Sequence, residues 1–404
     1  DGTRLTPEDV KFSIERTKEL KRPKLSILEN VEDVETVGES SVRITLENRS
    51  AAFIRQLATP WTSIISSESY SASEVEADLP VTSGPYRIEK TAERYIQLEK
   101  TQDYWRNISG SDVILVEHVP QQANLKRRIY RDQIDISFRS FDSYRKEEDL
   151  TEGIMLKNTS DTRFVVMNTD KGIFSDRSVR KALAYSIDRD ELMEDTFQSG
   201  GYPIESLLPA DMKEYVPAFE QYRDTDRAEE LLKEAGYSED NKLKFNIYFT
   251  DYGLHEERIA EEIKSQFERN NLTEVETEQL EWGRMAERIY KGSIGIHLLG
   301  WFPDYYDPQN YLEPLLSSNM SKYTGSHYNS SKMDRLLEKG ETTTDKEERR
   351  STFRKIQEKA AEDVPYIPLF QPKRIVQVSE SIQKDTVSYS PLGIPDWYSI
   401  RKKE

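Results

Sequence analysis

Three residues of this chain stand out by type and spacing as groups that could meet a ligand: Trp301, Asp304 and Tyr305, in the run GWFPDYYDPQNYL at 300–312. His255 follows the turn-like Thr250-Asp251-Tyr252-Gly253. Pro303 and Pro308 each lack an N–H donor and fix φ, so regular structure cannot run through the aromatic segment. The expectation is a rigid loop that presents Trp301, Asp304 and Tyr305 at a surface. A ligand cleft would use both the aromatic area and the carboxylates, because an isolated buried charge is expensive. The alternative is an aromatic loop packed on its own domain, with Asp304 and Asp307 as turn or cap residues. The residues alone leave both readings open.

Catalytic chemistry finds little support. The four histidines, His118, His255, His297 and His327, form no close metal-binding pair. His255-Glu256-Glu257 begins like a zinc-protease helix, but Ile259 stands where the second histidine belongs. There is no phosphate-binding loop, dinucleotide fingerprint or nucleophile elbow. Asp304 and Asp307 could be cast as a general acid and base. Hydrolytic carboxylate pairs usually come from different elements flanking the scissile bond, however, and these two share one short loop. The chain therefore reads as a binding protein rather than an enzyme, with no metal and no cofactor.

The elements that must carry this loop follow from periodicity. An apolar run at 294–299 reads as a buried strand leading into Gly300. Before it come an alternating strand at 243–249, a helix at 256–267, a strand at 275–280 and a helix at 282–290. Strand–helix–strand–helix at this spacing is a βαβ series, whose ligand sites lie off the carboxyl ends of the strands. Nearer the start, Thr6 is a candidate N-cap with Pro7 at the first helical position. Residues 34–46 alternate as two strands about a turn at Gly38, and 113–118 read as a buried strand. A capped helix begins near Ser175, and Gly236 closes an amphipathic helix over 226–237. Helices follow at 332–338 and 345–362, then a strand at 366–370.

With 404 residues the chain is too long for one ordinary core, so two or three domains are expected. A net charge of −17 argues against nucleic acid, whose binding rests on phosphate neutralisation. The lack of cysteine excludes disulfides and thiolate metal sites.

The pattern GW-x-x-DY-x-DP resembles the cleft loop of the family 5 extracellular solute-binding proteins, the peptide- and nickel-binding receptors of ABC transporters. Other segments resemble the same family: DGTRLTPEDVKFSIER at the start; Ser83-Gly84-Pro85-Tyr86 with Asp103-Tyr104-Trp105; the series Asn168, Phe174, Asp176, Val179, Arg180, Ala182, Asp188 and Arg189; DRAEELLKEAGY; and EDVPYIPLF. The resemblance implies an α/β, two-lobed type II periplasmic-binding-protein fold with a small accessory α+β subdomain. Residues 1–80 would form the accessory subdomain, 81–165 with 371–404 lobe I, and 166–370 lobe II. The helix carrying Arg180 would sit at the lobe junction. In the family the opening signature follows a substantial part of lobe I. The resemblance thus implies a chain lacking its signal sequence, any lipid anchor and several lobe I strands.

It further implies an extracytoplasmic, monomeric receptor that holds a small peptide in the interlobe cleft and passes it to ABC permease membrane subunits. A nickel chelate, haem or oligosaccharide ligand is the alternative, as is a solute-sensing domain without a permease. Asp304 would take the ligand's α-ammonium group. The Gly300, Trp301 and Phe302 main chain would pair with an extended ligand, with Tyr305 beside it, and His255 would approach the ligand's carboxyl end. Some oligopeptide receptors carry an arginine two residues before the glycine; here Leu298 stands there, which leaves Asp304 one internal partner fewer.

Overall fold

The computed structural model describes residues 3–20, 27–70, 81, 83–119, 127–129, 131–139, 153–196, 200–250 and 256–403. His255 and the turn before it lie outside these residues. The chain divides into two compact units, one of residues 1–137 with 377–404 and the other of 138–376. The units change over at 137/138 and 376/377: the strands that begin at Ile154 and Thr162, and most of the last strand, belong to the sheet of the second unit.

The first unit opens on the helix Pro7–Glu19. The Asp9 carboxylate accepts from the Thr6 N–H at 2.8 Å, while the Thr6 hydroxyl accepts from the Asp9 N–H at 3.4 Å. This reciprocal box satisfies donors that a helix start otherwise leaves bare. Strands β1 (Val31–Val37) and β2 (Ser41–Leu46) pair antiparallel about Gly38, whose φ of +64° suits glycine. Ile14, Leu28, Val31, Val34 and Phe53 make the small core of this hairpin and helix. A separate sheet takes the order β3 (Tyr86–Ala92), β4 (Tyr95–Lys100), β5 (Val113–Glu117). The expectation of a buried strand at 113–118 is not met: Val113 and Leu115 are 53% and 57% exposed. β5 ends its sheet, and an apolar run does not reveal what, if anything, covers it.

The chain passes between the units within β6 (Ile136–Arg139) and within β13 (Tyr366–Val378). The main sheet also contains β7 (Ile154–Asn158), β8 (Thr162–Met167), β9 (Gly201–Pro203), β10 (Leu243–Phe249), β11 (Thr273–Gln279) and β12 (Ile296–Trp301). Its order is β11-β10-β12-β8-β13-β6, with β7 and β9 also paired to β13. β10 is parallel to both β11 and β12, as the βαβ reading requires, whereas β8 is antiparallel to β12 and β13. Side chains alternate between faces, so two cores form. Val165, Met167, Ile247, Ile296 and Leu298 pack on one side with the helices Arg177–Ser186 and Glu256–Glu268. Phe164, Val166 and Tyr366 pack on the other with the helices Pro308–Leu316 and Lys346–Asp363. β13 runs eight residues past the strand end expected at Phe370, because its later part finds other strands to pair with.

Arg180 is buried and bonded to main-chain carbonyls, Nε to Asp363 at 3.1 Å and Nη1 to Phe174 at 2.8 Å. Arg189 reaches Pro368 O through Nε at 2.6 Å. All these partners lie inside the second unit, so Arg180 and Arg189 tie its elements together.

Candidate functional site

β12 carries the loop. Its register places Gly300 opposite Arg163 and Trp301 opposite Thr162, so both residues belong to the strand itself and the loop begins at Phe302. On its other edge β12 bridges β10 only at Ile296 and His297. From Leu298 to Trp301 that edge carries no strand among the described residues.

The loop is held by Asn310, in the first turn of the helix Pro308–Leu316. Asn310 Oδ1 accepts from the Asp304 N–H at 2.6 Å and from Tyr305 N–H at 3.4 Å. Its carbonyl accepts from the Trp301 indole at 2.9 Å. Asp307 caps that helix by accepting from the Gln309 N–H at 2.9 Å. Both its oxygens also accept from Arg349, at 2.9 and 2.7 Å, in complete burial. Asp307 thus serves as a structural cap whose carboxylate is engaged by Arg349. Asp304 itself is half-buried on the loop. Phe302 is 48% exposed, whereas Tyr305 is 6% exposed and so is packed inside rather than presented. Tyr306, half-buried, bonds Asp211; burial first, then that carboxylate, raises its hydroxyl pKa.

Behind the strand end sits a charged pair that the sequence reading passed over. Arg163 Nη2 lies 3.5 Å from Asp161 Oδ2, with the two side chains 18% and 22% exposed. Burial pushes the Asp161 carboxyl above its ordinary range, opposed by Arg163 and by Arg374 of β13. A Cβ built on Gly300 would overlap the Arg163 guanidinium. The signal available in the sequence was the Asp-x-Arg pair at a strand start. Its meaning depends on pairing with a strand some 130 residues further on (Gly300 opposite Arg163). Asn310 was likewise missed, although the Asp-Pro-Gln-Asn run at a helix start marked a capping region.

Among the described residues no cluster of histidine and carboxylate side chains could hold a metal ion. His297 is enclosed, with Nε2 3.1 Å from Thr324 O, and His327 Nε2 lies 3.0 Å from Ile289 O. Neither lies in the loop.

The family described as bacterial extracellular solute-binding proteins, family 5, matches residues 1–323. The chain belongs to this family. Among its relatives, haem-binding protein A of Haemophilus influenzae is 26% identical over 393 residues, covering 92% of this chain and 70% of its own length. Di/tripeptide-binding protein 2 of Pseudomonas aeruginosa is 25% identical over 430 residues, 98% of this chain and 78% of its own. The structure of HbpA2 from Haemophilus parasuis superposes with a TM-score of 0.85 at 21% identity, covering 100% of this chain and 84% of that one. The fold is thus the two-lobed α/β fold of the periplasmic binding proteins. As a family 5 member the chain is of an extracytoplasmic kind whose named relatives bind solutes and are not enzymes. Among the described residues no helix is long and apolar enough to cross a membrane.

Proposed function

We propose that this protein is the peptide-binding component of an ABC transporter, taking short peptides with a free amino terminus and handing them, as a monomer, to permease subunits in the membrane. The observation that carries this reading is the edge of β12 from Leu298 to Trp301, which carries no strand among the described residues and ends beside a half-buried carboxylate on a pinned loop. An extended peptide adds to such an edge as a strand, and its main-chain hydrogen bonds ignore side-chain identity. Gly300, Trp301 and Phe302 would supply those bonds. Asp304 would supply the charged anchor, since a half-buried carboxylate makes a strong charge-assisted hydrogen bond with an α-ammonium group. The peptide-binding relatives support the choice of ligand.

Losing one partner of a buried charge pair costs roughly 2–5 kcal/mol. Asp304→Asn should therefore weaken free-amine peptides by at least about tenfold, and N-acetylation of the peptide should do the same to the unaltered protein. Calorimetric titration of both proteins with both peptides tests this as a cycle. Equal affinity of acetylated and free peptides for the unaltered protein would sink the reading. A second ligand, haem, is favoured by the name of one relative; an absorbance titration showing a saturable haem complex, with no peptide heat, would replace the first reading with it.

A further inference from the structure

We infer that Arg163 forms a second, anionic-group subsite beside the ammonium anchor, so that this receptor prefers peptides bearing a carboxylate within one or two residues of their amino terminus. The inference rests on the peptide reading above and adds a specificity that the reading does not contain.

Gly300 is the starting point. Its φ is not positive, so its backbone conformation would accept any residue. What demands glycine is space: a Cβ there would run into the Arg163 guanidinium, which lies across the strand at this position. The chain thus keeps a side chain off β12 and seats an arginine against a strand whose other edge, from Leu298 on, carries no strand among the described residues. Adjacent strands lie about 4.8 Å apart, so a ligand strand on that edge brings its own side chains within reach of a guanidinium lying over Gly300.

Arg163 is poorly served from within. Its contact with Asp161, at 3.5 Å, is too long for a good charge-assisted hydrogen bond. Its Nε is buried with no hydrogen-bond partner among the described residues, and the same holds for Asp161 Oδ1. A donor left unbonded in a buried place is costly, and the planar fork of a guanidinium matches a carboxylate's two oxygens better than any other group a peptide offers. The source of that carboxylate is an acidic side chain at the first or second residue.

The test is calorimetric titration of the whole chain with free-amine, C-terminally amidated Ala-Ala-Ala, Glu-Ala-Ala and Ala-Glu-Ala. At least one of the glutamate peptides should bind about tenfold or more tighter than Ala-Ala-Ala, and the one that does so identifies the position. In Arg163→Gln that ratio should fall below about threefold. In Arg163→Lys, which keeps the charge but not the fork, it should fall to an intermediate value; this variant decides the matter if the glutamine protein does not fold. Equal binding of charged and neutral ligands by the unaltered protein overturns the inference and leaves the peptide reading standing. So does a ratio that survives in either variant undiminished, in which case Arg163 merely neutralises Asp161. Failure of every peptide to bind removes the peptide reading and this inference with it.

Discussion

Asp307 and Asp304 stand three residues apart with opposite environments, and only the structure separates them. Asp307 is completely enclosed, with both oxygens on the Arg349 fork and one also capping a helix. Removing one partner of such a pair strands the other charge, at a cost of about 3–5 kcal/mol. Asp307→Ala should lower the unfolding free energy by that amount in a urea titration; a loss below about 1 kcal/mol would show that Arg349 finds water or another partner. His297 gives a residue-scale prediction in pH. Burial, reinforced by the nearby His327 and opposed by the Thr324 carbonyl, lowers its pKa from 6.5 to about 4. The native imidazole therefore stays neutral while the unfolded one takes a proton, so the unfolded state binds more protons between those values. The stabilisation is complete above about pH 6.5 and is lost as pH falls towards 4, by up to about 3 kcal/mol in all. Urea midpoints measured across that range should fall with acid, and His297→Asn should flatten the slope.

At the level of elements, local signals were read well and long-range ones were not. The Thr6 cap, the turn at Gly38, the Gly236 helix stop and the strand–helix series feeding β12 all depend on residues close in sequence, and all appear as expected. The failures share a physical cause. β5 has the composition of a buried strand, but burial depends on what lies over it, and most of its side chains are exposed. β13 outruns its expected end because partners distant in sequence continue the ladder. Tyr305 was read as presented because aromatic loops beside acids suggest a cleft, yet Asn310 draws its backbone inward and the ring is buried. The loop was thus visible as a candidate site, whereas its pin, Asn310, and its neighbour, Arg163, required register. Register is what a single sequence specifies least openly, since a slip of one residue would turn Arg163 to the opposite face.

Taken whole, the chain distributes its stability unevenly between the units. β8, β12 and β13 of the second unit have buried side chains on both faces, against two separate helix layers. The first unit has a small core about one helix and a hairpin, and a three-stranded sheet whose side chains are mostly exposed or half-buried. Opening free energies follow buried apolar area, so the two should report very different protection. Native-state hydrogen exchange should show the central amides of β8 and β13 exchanging only with global unfolding of the second unit, and those of β3, β4 and β5 exchanging through local opening. Protection in β5 as strong as in β8 would contradict this. Within the protected sheet one stretch should behave otherwise. Amides of residues 298–302 that point to the open edge of β12 have no strand to donate to among the described residues, so they should exchange fast despite their neighbours. A free-amine peptide added at about 100 times its dissociation constant should slow these same amides, because it would supply their missing acceptors and stabilise the bound state by about 2.7 kcal/mol. Slowing there with the free peptide but not with its acetylated form would tie the open edge and Asp304 to one ligand. Slowing elsewhere in the sheet, with 298–302 unchanged, would move the binding surface away from β12.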